Sequence, residues 1–77
     1  MRTAAIYALV DGRPRFIVSA GAIGDIDLEG LHYLALTLSD VFRRPVWIAD
    51  RRRVAYQGDV MGERISEVFA PAAHQGL

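Results

Sequence analysis

The sequence predicts an α+β fold: a four-stranded antiparallel sheet packed on one amphipathic helix, in the order ββαββ(α) with a short C-terminal helix. Three observations carry it. Residues 27–44 place Leu28, Leu31, Leu34, Ala35, Leu38, Val41 and Phe42 on one stripe at helical spacing. Asp11-Gly12 separates two apolar runs, the strongest short-range hairpin signal. Past the helix, residues 46–50 and 53–57 are two further strand-like runs around Arg51 and Arg52.

The first strand, residues 3–10, is rich in aliphatic and aromatic side chains, and residues 15–19 return alongside it. Pro14 cannot donate to a ladder, so it belongs in the loop or on an edge. Residues 20–24 link into the helix, where Asp25 or Asp27 can cap the first N–H groups. Gly30 weakens the first turn by up to about 1 kcal/mol relative to alanine. Arg43 and Arg44 complement the helix dipole, and Pro45 stops the helix. Two arginines suit a tight turn poorly, so a looser loop is expected between the last two strands, with Trp47 facing Tyr56 in one register. Residues 63–70 carry Ile65, Val68 and Phe69 at helical spacing before Pro71, which predicts a short helix. Residues 1–70 then form a single domain and 71–77 a flexible tail.

Seventy-seven residues lie near the size at which one core is marginal. The absence of cysteine excludes a disulfide framework, a thiolate nucleophile and Cys-based zinc sites. Nine acidic residues balance nine basic ones, so the summed field offers no general pull toward nucleic acid or anionic lipid. All nine basic residues are arginine, a bias that GC-rich coding produces, as in an actinobacterium or its phage. The arginines therefore count for little as evidence of phosphate binding. The run from Ala4 to Val10 ends at Asp11-Gly12 and reads as neither signal peptide nor membrane span, so the expected location is cytoplasmic with no membrane partner.

The first strand is apolar on both faces, with Ala4, Ile6, Ala8 and Val10 on one and Ala5, Tyr7 and Leu9 on the other. Val46 and Ile48 stand likewise against Trp47 and Ala49. One face meets the helix, and the second becomes an apolar patch that monomers rarely expose. The simplest resolution is a homodimer that buries sheet on sheet or pairs edges; the alternative is that the C-terminal helix covers the second face. Leu36 adds to the case because it shares the outer helical face with Glu29, His32, Ser39 and Arg43. The candidate partner-binding residues are thus Tyr7, Leu9, Leu36, Trp47 and Tyr56.

Arg51, Arg52 and Arg53, with Trp47 and Tyr56 nearby, are the candidates for nucleic-acid contact. The preceding strand runs roughly 16 Å and carries them away from Arg43 and Arg44, toward Asp25, Asp27 and Glu29. A solvated tip neutralised by those carboxylates is the plainer expectation. The loop around Gly21 and Gly24 lacks a Gly-Lys-Ser/Thr ending, and the same acids repel phosphate there. His32 and His74 have no second ligand at helical spacing, and Ser39 lies about 10 Å along the axis from His32. His32 reads as a solvent-facing helix residue. Asp40 pairs with the neighbouring arginines, and Asp50 and Asp59 form no acid/base pair. No catalytic residue, cofactor site or metal site can be assembled.

Val46-Trp47-Ile48-Ala49-Asp50 followed by residues 53–58 resembles strands of small-molecule sensor domains such as PAS and GAF, over about a dozen residues and without a specific motif. The leading expectation is a small non-enzymatic protein-interaction or regulatory module, acting as a homodimer, as an accessory protein of an actinobacterium or phage would. Nucleic-acid binding through the Arg51–Arg53 tip and a small-ligand sensor half-module are the rivals.

Overall fold

Asp11 and Gly12 take φ values of 54° and 77°, the left-handed pair that a two-residue hairpin turn requires. They join β1 (Ala4–Val10) to β2 (Arg13–Ser19) with Val10 opposite Arg13. The computed structural model describes residues 3–53 and 62–71. Pro14 lies opposite Leu9, whose N–H turns the other way to the Pro45 carbonyl at 2.9 Å. Pro14 therefore faces its missing donor outward, as an edge strand permits. The sheet order β2-β1-β3-β4 does place β2 at an edge. Between Ile6 and Tyr7 the register with β2 shifts by one residue. This bulge lets the consecutive residues Ile17 and Val18 both pack on the core, while Phe16 meets Tyr7 edge-on at 5.9 Å.

The linking segment forms one helical turn, α1 (Ala20–Ile23), capped by the Ser19 hydroxyl, which accepts from the Ala22 N–H at 3.2 Å. Asp27 then caps α2 (Leu28–Phe42), its carboxylate accepting from the Gly30 N–H at 2.8 Å. A Cβ at Gly30 would lie 2.8 Å from Ile26 Cγ1, so the glycine makes room for the residue before the cap. The helix ends as Arg43 enters the left-handed region at φ 58°, with the Arg43 and Arg44 N–H groups returning to the Ser39 carbonyl.

The buried line of α2 is Leu31, Ala35 and Ser39, flanked by the partly buried Leu28, Leu34 and Leu38. Val41 and Phe42, expected in the core, are exposed at 65% and 42%. Val41 lies about 120° around the helix from Ala35, and Phe42 projects from the last turn. Ser39 and His32, expected on the outer face, turn instead toward the C-terminal segment. The Ser39 hydroxyl donates to the Leu36 carbonyl at 2.7 Å and lies 3.4 Å from that of Ala70, and the His32 ring sits 5.8 Å from the Phe69 ring.

β3 (Val46–Asp50) pairs antiparallel with β1, setting Trp47 opposite Tyr7 in a stack of 6.3 Å between centroids. Arg51–Arg53 form a 3-10 turn. The expected return strand, residues 53–57, and the Trp47–Tyr56 pairing lie outside the described residues apart from Arg53. The fourth strand is β4 (Glu63–Arg64), which pairs with Asp50 and Ala49. The short helix expected over residues 63–70 is therefore corrected to an extended, bulged edge. Past β4 the Ile65 N–H donates to the Ile48 carbonyl, the Ile48 N–H donates to the Ser66 hydroxyl at 2.9 Å, and Val46 and Phe69 exchange both backbone bonds. β3 is buried, and an unpaired edge there would leave its amides unsatisfied, which outweighs a three-residue apolar spacing. Pro71 is fully buried; the remainder of the expected tail, residues 72–77, lies outside the described residues.

One core joins the helix to Ala4, Ile6, Ala8, Val46 and Ile48. A second, on the opposite sheet face, gathers Ala5, Tyr7, Trp47 and Ala49. The two aromatic residues there are only 7% and 4% exposed within this single chain. The middle of the apolar face expected from the strand pattern is thus covered, while Phe16 and Leu9 on the same face stay exposed.

Candidate docking groove

A four-stranded sheet is about 19 Å across, whereas a helix covers about 10 Å. α2 rests on β3 and, to a lesser extent, on β1. Among the described residues α1 packs on β1 and β2 at one end of this face, and the part beside the carboxyl end of α2 stays open. Its floor is made by Val10, Ile17 and Val18, each only partly buried, and its wall by Leu34 and Leu38 of α2. At the carboxyl end of the helix this trough deepens into a groove of about 210 Å³ lined by Ala8, Val10, Ile17, Phe42 and Arg44.

The strand register adds two further arginines. Arg13 lies opposite Val10 and Arg15 opposite Ala8, and directly opposed residues of an antiparallel pair project from the same face. Arg13, Arg15 and Arg44 therefore rim the same end of the trough. The nearest acids in sequence are Asp11, in the turn, and Asp40, which lies 3.9 Å from Arg43 on the exposed side of the helix.

The other candidate, the arginine tip, is arranged differently from expectation. Arg51 lies over the Phe16 ring at 4.9 Å, and Arg52 donates its backbone N–H to the Asp50 carboxylate at 3.0 Å while its guanidinium stands 3.5 Å away. These partners replace the expected Asp25, Asp27 and Glu29. The Thr3 hydroxyl does most to hold the Asp50 carboxyl below the usual carboxylate range; partial burial opposes it, and the Arg52 N–H and charge act with Thr3. Thr3, Ser19, Arg51 and Arg52 border a shallow cleft of about 440 Å³. The side chain of Arg53 is outside the described part.

Of the residues singled out as partner-binding candidates, Tyr7 and Trp47 are buried. Leu9 and Leu36 are exposed, on opposite sides of the molecule's sheet, and Tyr56 lies outside the described residues. The groove residues went unmarked because Val41 and Phe42 fit the core stripe. The cue was available in the count of elements: four strands against one long helix. Among the described residues no cluster of three or more His, Asp or Glu is placed to hold a metal, and no helix is long and apolar enough to cross a membrane. His32 Nε2 is enclosed without a hydrogen-bond partner.

No protein-family model, curated protein or solved structure matches this chain.

Proposed function

We propose that this chain is a small non-enzymatic protein-interaction or regulatory module that docks its partner in the groove beside the carboxyl end of α2. The observation that carries this reading is the exposure of Phe42 beside the partly buried Val10 and Ile17. The groove, at about 210 Å³, falls below the roughly 300–1,000 Å³ of small-molecule sites, which favours a protein segment over a free ligand. A homodimer, the arrangement expected from the strand pattern, would pair through an apolar face, this groove or the exposed Phe16 and Leu9, because the sheet's edges are blunted by Arg13, Pro14, Arg15 and a bulge on β2 and by the two-residue length of β4.

The test is competition for the trough. With the chain immobilised and a lysate of its own host as the source, Val41→Asp with Phe42→Asp removes the captured partner, and Leu36→Asp on the far shoulder of the helix leaves it bound. Capture that is indifferent to the double change and lost with Leu36→Asp contradicts the reading.

Nucleic-acid binding at the tip is a second reading, favoured by Arg51 and Arg52 both being exposed beside one cleft. It calls for binding to single-stranded DNA or RNA that weakens steeply with salt and falls on Arg51→Ala with Arg52→Ala. Absence of binding at low salt removes it.

A further inference from the structure

The ends of three strands meet at a second cleft, at the opposite end of β1 from the docking groove. Thr3 leads into β1, Ser19 closes β2, and Arg51 and Arg52 follow β3; these four border the cleft of about 440 Å³. We propose that it binds a small phosphomonoester, with Arg51, Arg52 and the Ser19 hydroxyl as donors to the terminal oxygens of the ester.

The strand register brings the donors together. Ser19 lies opposite Ala5 of β1, and Ala5 lies opposite Ala49 of β3, two residues before Arg51. The Arg51 backbone N–H donates to the Thr3 carbonyl at 2.9 Å, which fixes the turn against the start of β1. The number of arginines in this chain says little, but the way these two are held says more. The Arg51 guanidinium lies over the Phe16 ring at 4.9 Å, and stacking engages the face of the group while its N–H donors point outward in the plane. The Arg52 guanidinium stands 3.5 Å from the Asp50 carboxylate, and its fork has more donors than that one contact uses. The Ser19 hydroxyl accepts from the Ala22 N–H at 3.2 Å, so its own proton is left to donate.

None of the described residues bordering the cleft is acidic. Asp50 is the nearby acid, and the Thr3 hydroxyl, the Arg52 N–H and the Arg52 guanidinium already meet its charge. Arg51 is then left to attract an anion. Ligand class follows from donors and size. A phosphomonoester carries three strong acceptor oxygens and close to two charges, which suits two guanidinium forks and a hydroxyl, whereas a diester offers two such oxygens and one charge. The cleft falls within the roughly 300–1,000 Å³ of small-molecule sites, so it has room for an organic group beyond the phosphate.

The probes are methyl phosphate, dimethyl phosphate, an oligothymidylate without terminal phosphates and a degenerate pool of phosphoserine peptides. Each is titrated into the full chain at one ionic strength and followed by amide shifts. Methyl phosphate is expected to give saturable shifts at Ser19, Arg51 and Arg52, with dimethyl phosphate at least about tenfold weaker. Arg51→Ala with Arg52→Ala lowers the affinity for methyl phosphate at least about tenfold. Arg51→Lys with Arg52→Lys keeps the charge but loses the forks, and falls between the two. Both arginines are exposed, and circular dichroism of each variant establishes that it is folded. No saturable shift at these residues, equal binding of the two esters, or lysine variants that bind as well as the parent chain would each overturn the site. Oligothymidylate or phosphoserine peptides that bind at least about tenfold more tightly than methyl phosphate assign the cleft to nucleic acid or to a phosphorylated protein, and either result overturns the proposal. The groove beside α2 is tested separately, through Val41 and Phe42.

Discussion

Ser66 is worth more than its place near the end of the chain suggests. Its hydroxyl accepts the Ile48 N–H at a point where the edge bulges and no backbone carbonyl reaches. Ser66→Ala leaves that N–H buried and unsatisfied, and is expected to lower stability by about 1–3 kcal/mol, read from the urea midpoint. An unchanged midpoint would mean that the ladder closes without the hydroxyl. Asp50 acts through pH. Its carboxyl titrates lower in the folded chain than in the unfolded one, so it contributes stability above the unfolded value and loses it as pH falls through the folded value. Asp50→Asn should therefore be less stable at pH 7 and show a shallower decline below about pH 4; parallel acid profiles for the two proteins would contradict this. Neither role was legible in the sequence, because each depends on a neighbour distant along the chain, Ile48 in one case and Thr3 in the other.

At the scale of elements, the sequence was informative wherever a local rule acted alone. Asp11-Gly12 set the hairpin, Asp27 capped α2, and Pro14 fell on an edge. Residues 63–70 were misread because Ile65, Val68 and Phe69 fit a helix locally, whereas the amides of β3 demand a partner that no window of sequence displays. α2 itself offers two opposed tests. Propensity alone says that Gly30→Ala stabilises, but the added carbon meets Ile26 Cγ1 at 2.8 Å, so a loss of about 1 kcal/mol is expected. Arg43 sits at φ 58°, where glycine carries no steric penalty, so Arg43→Gly should gain about 0.5–1 kcal/mol. Thermal melts decide both, and a gain at position 30 with a loss at 43 would refute the account of how this helix begins and ends.

Taken whole, the molecule differs from its sequence expectation in which surface is left over. The pattern of alternating residues correctly marked both sheet faces as apolar, and it could not tell which face the rest of the chain would close. Burial of Tyr7 and Trp47 and the blunted edges reduce the surface through which copies could pair on the sheet to the exposed Phe16 and Leu9. Light scattering is expected to give a species of 8.5 kDa across micromolar concentrations. A dimer insensitive to substitution at Val41 and Phe42 would mean that some other surface pairs. Among the described residues the surplus lies in the groove between β2 and the carboxyl end of α2. The most direct test is an amide shift map of the chain on titration with a peptide selected for binding to it from a displayed random library. The largest changes are expected at Ile17, Val18, Val41, Phe42 and Arg44, with the Trp47 indole unmoved. Changes gathered instead around Thr3, Ser19 and Arg51, or at the Trp47 indole, would contradict the docking groove.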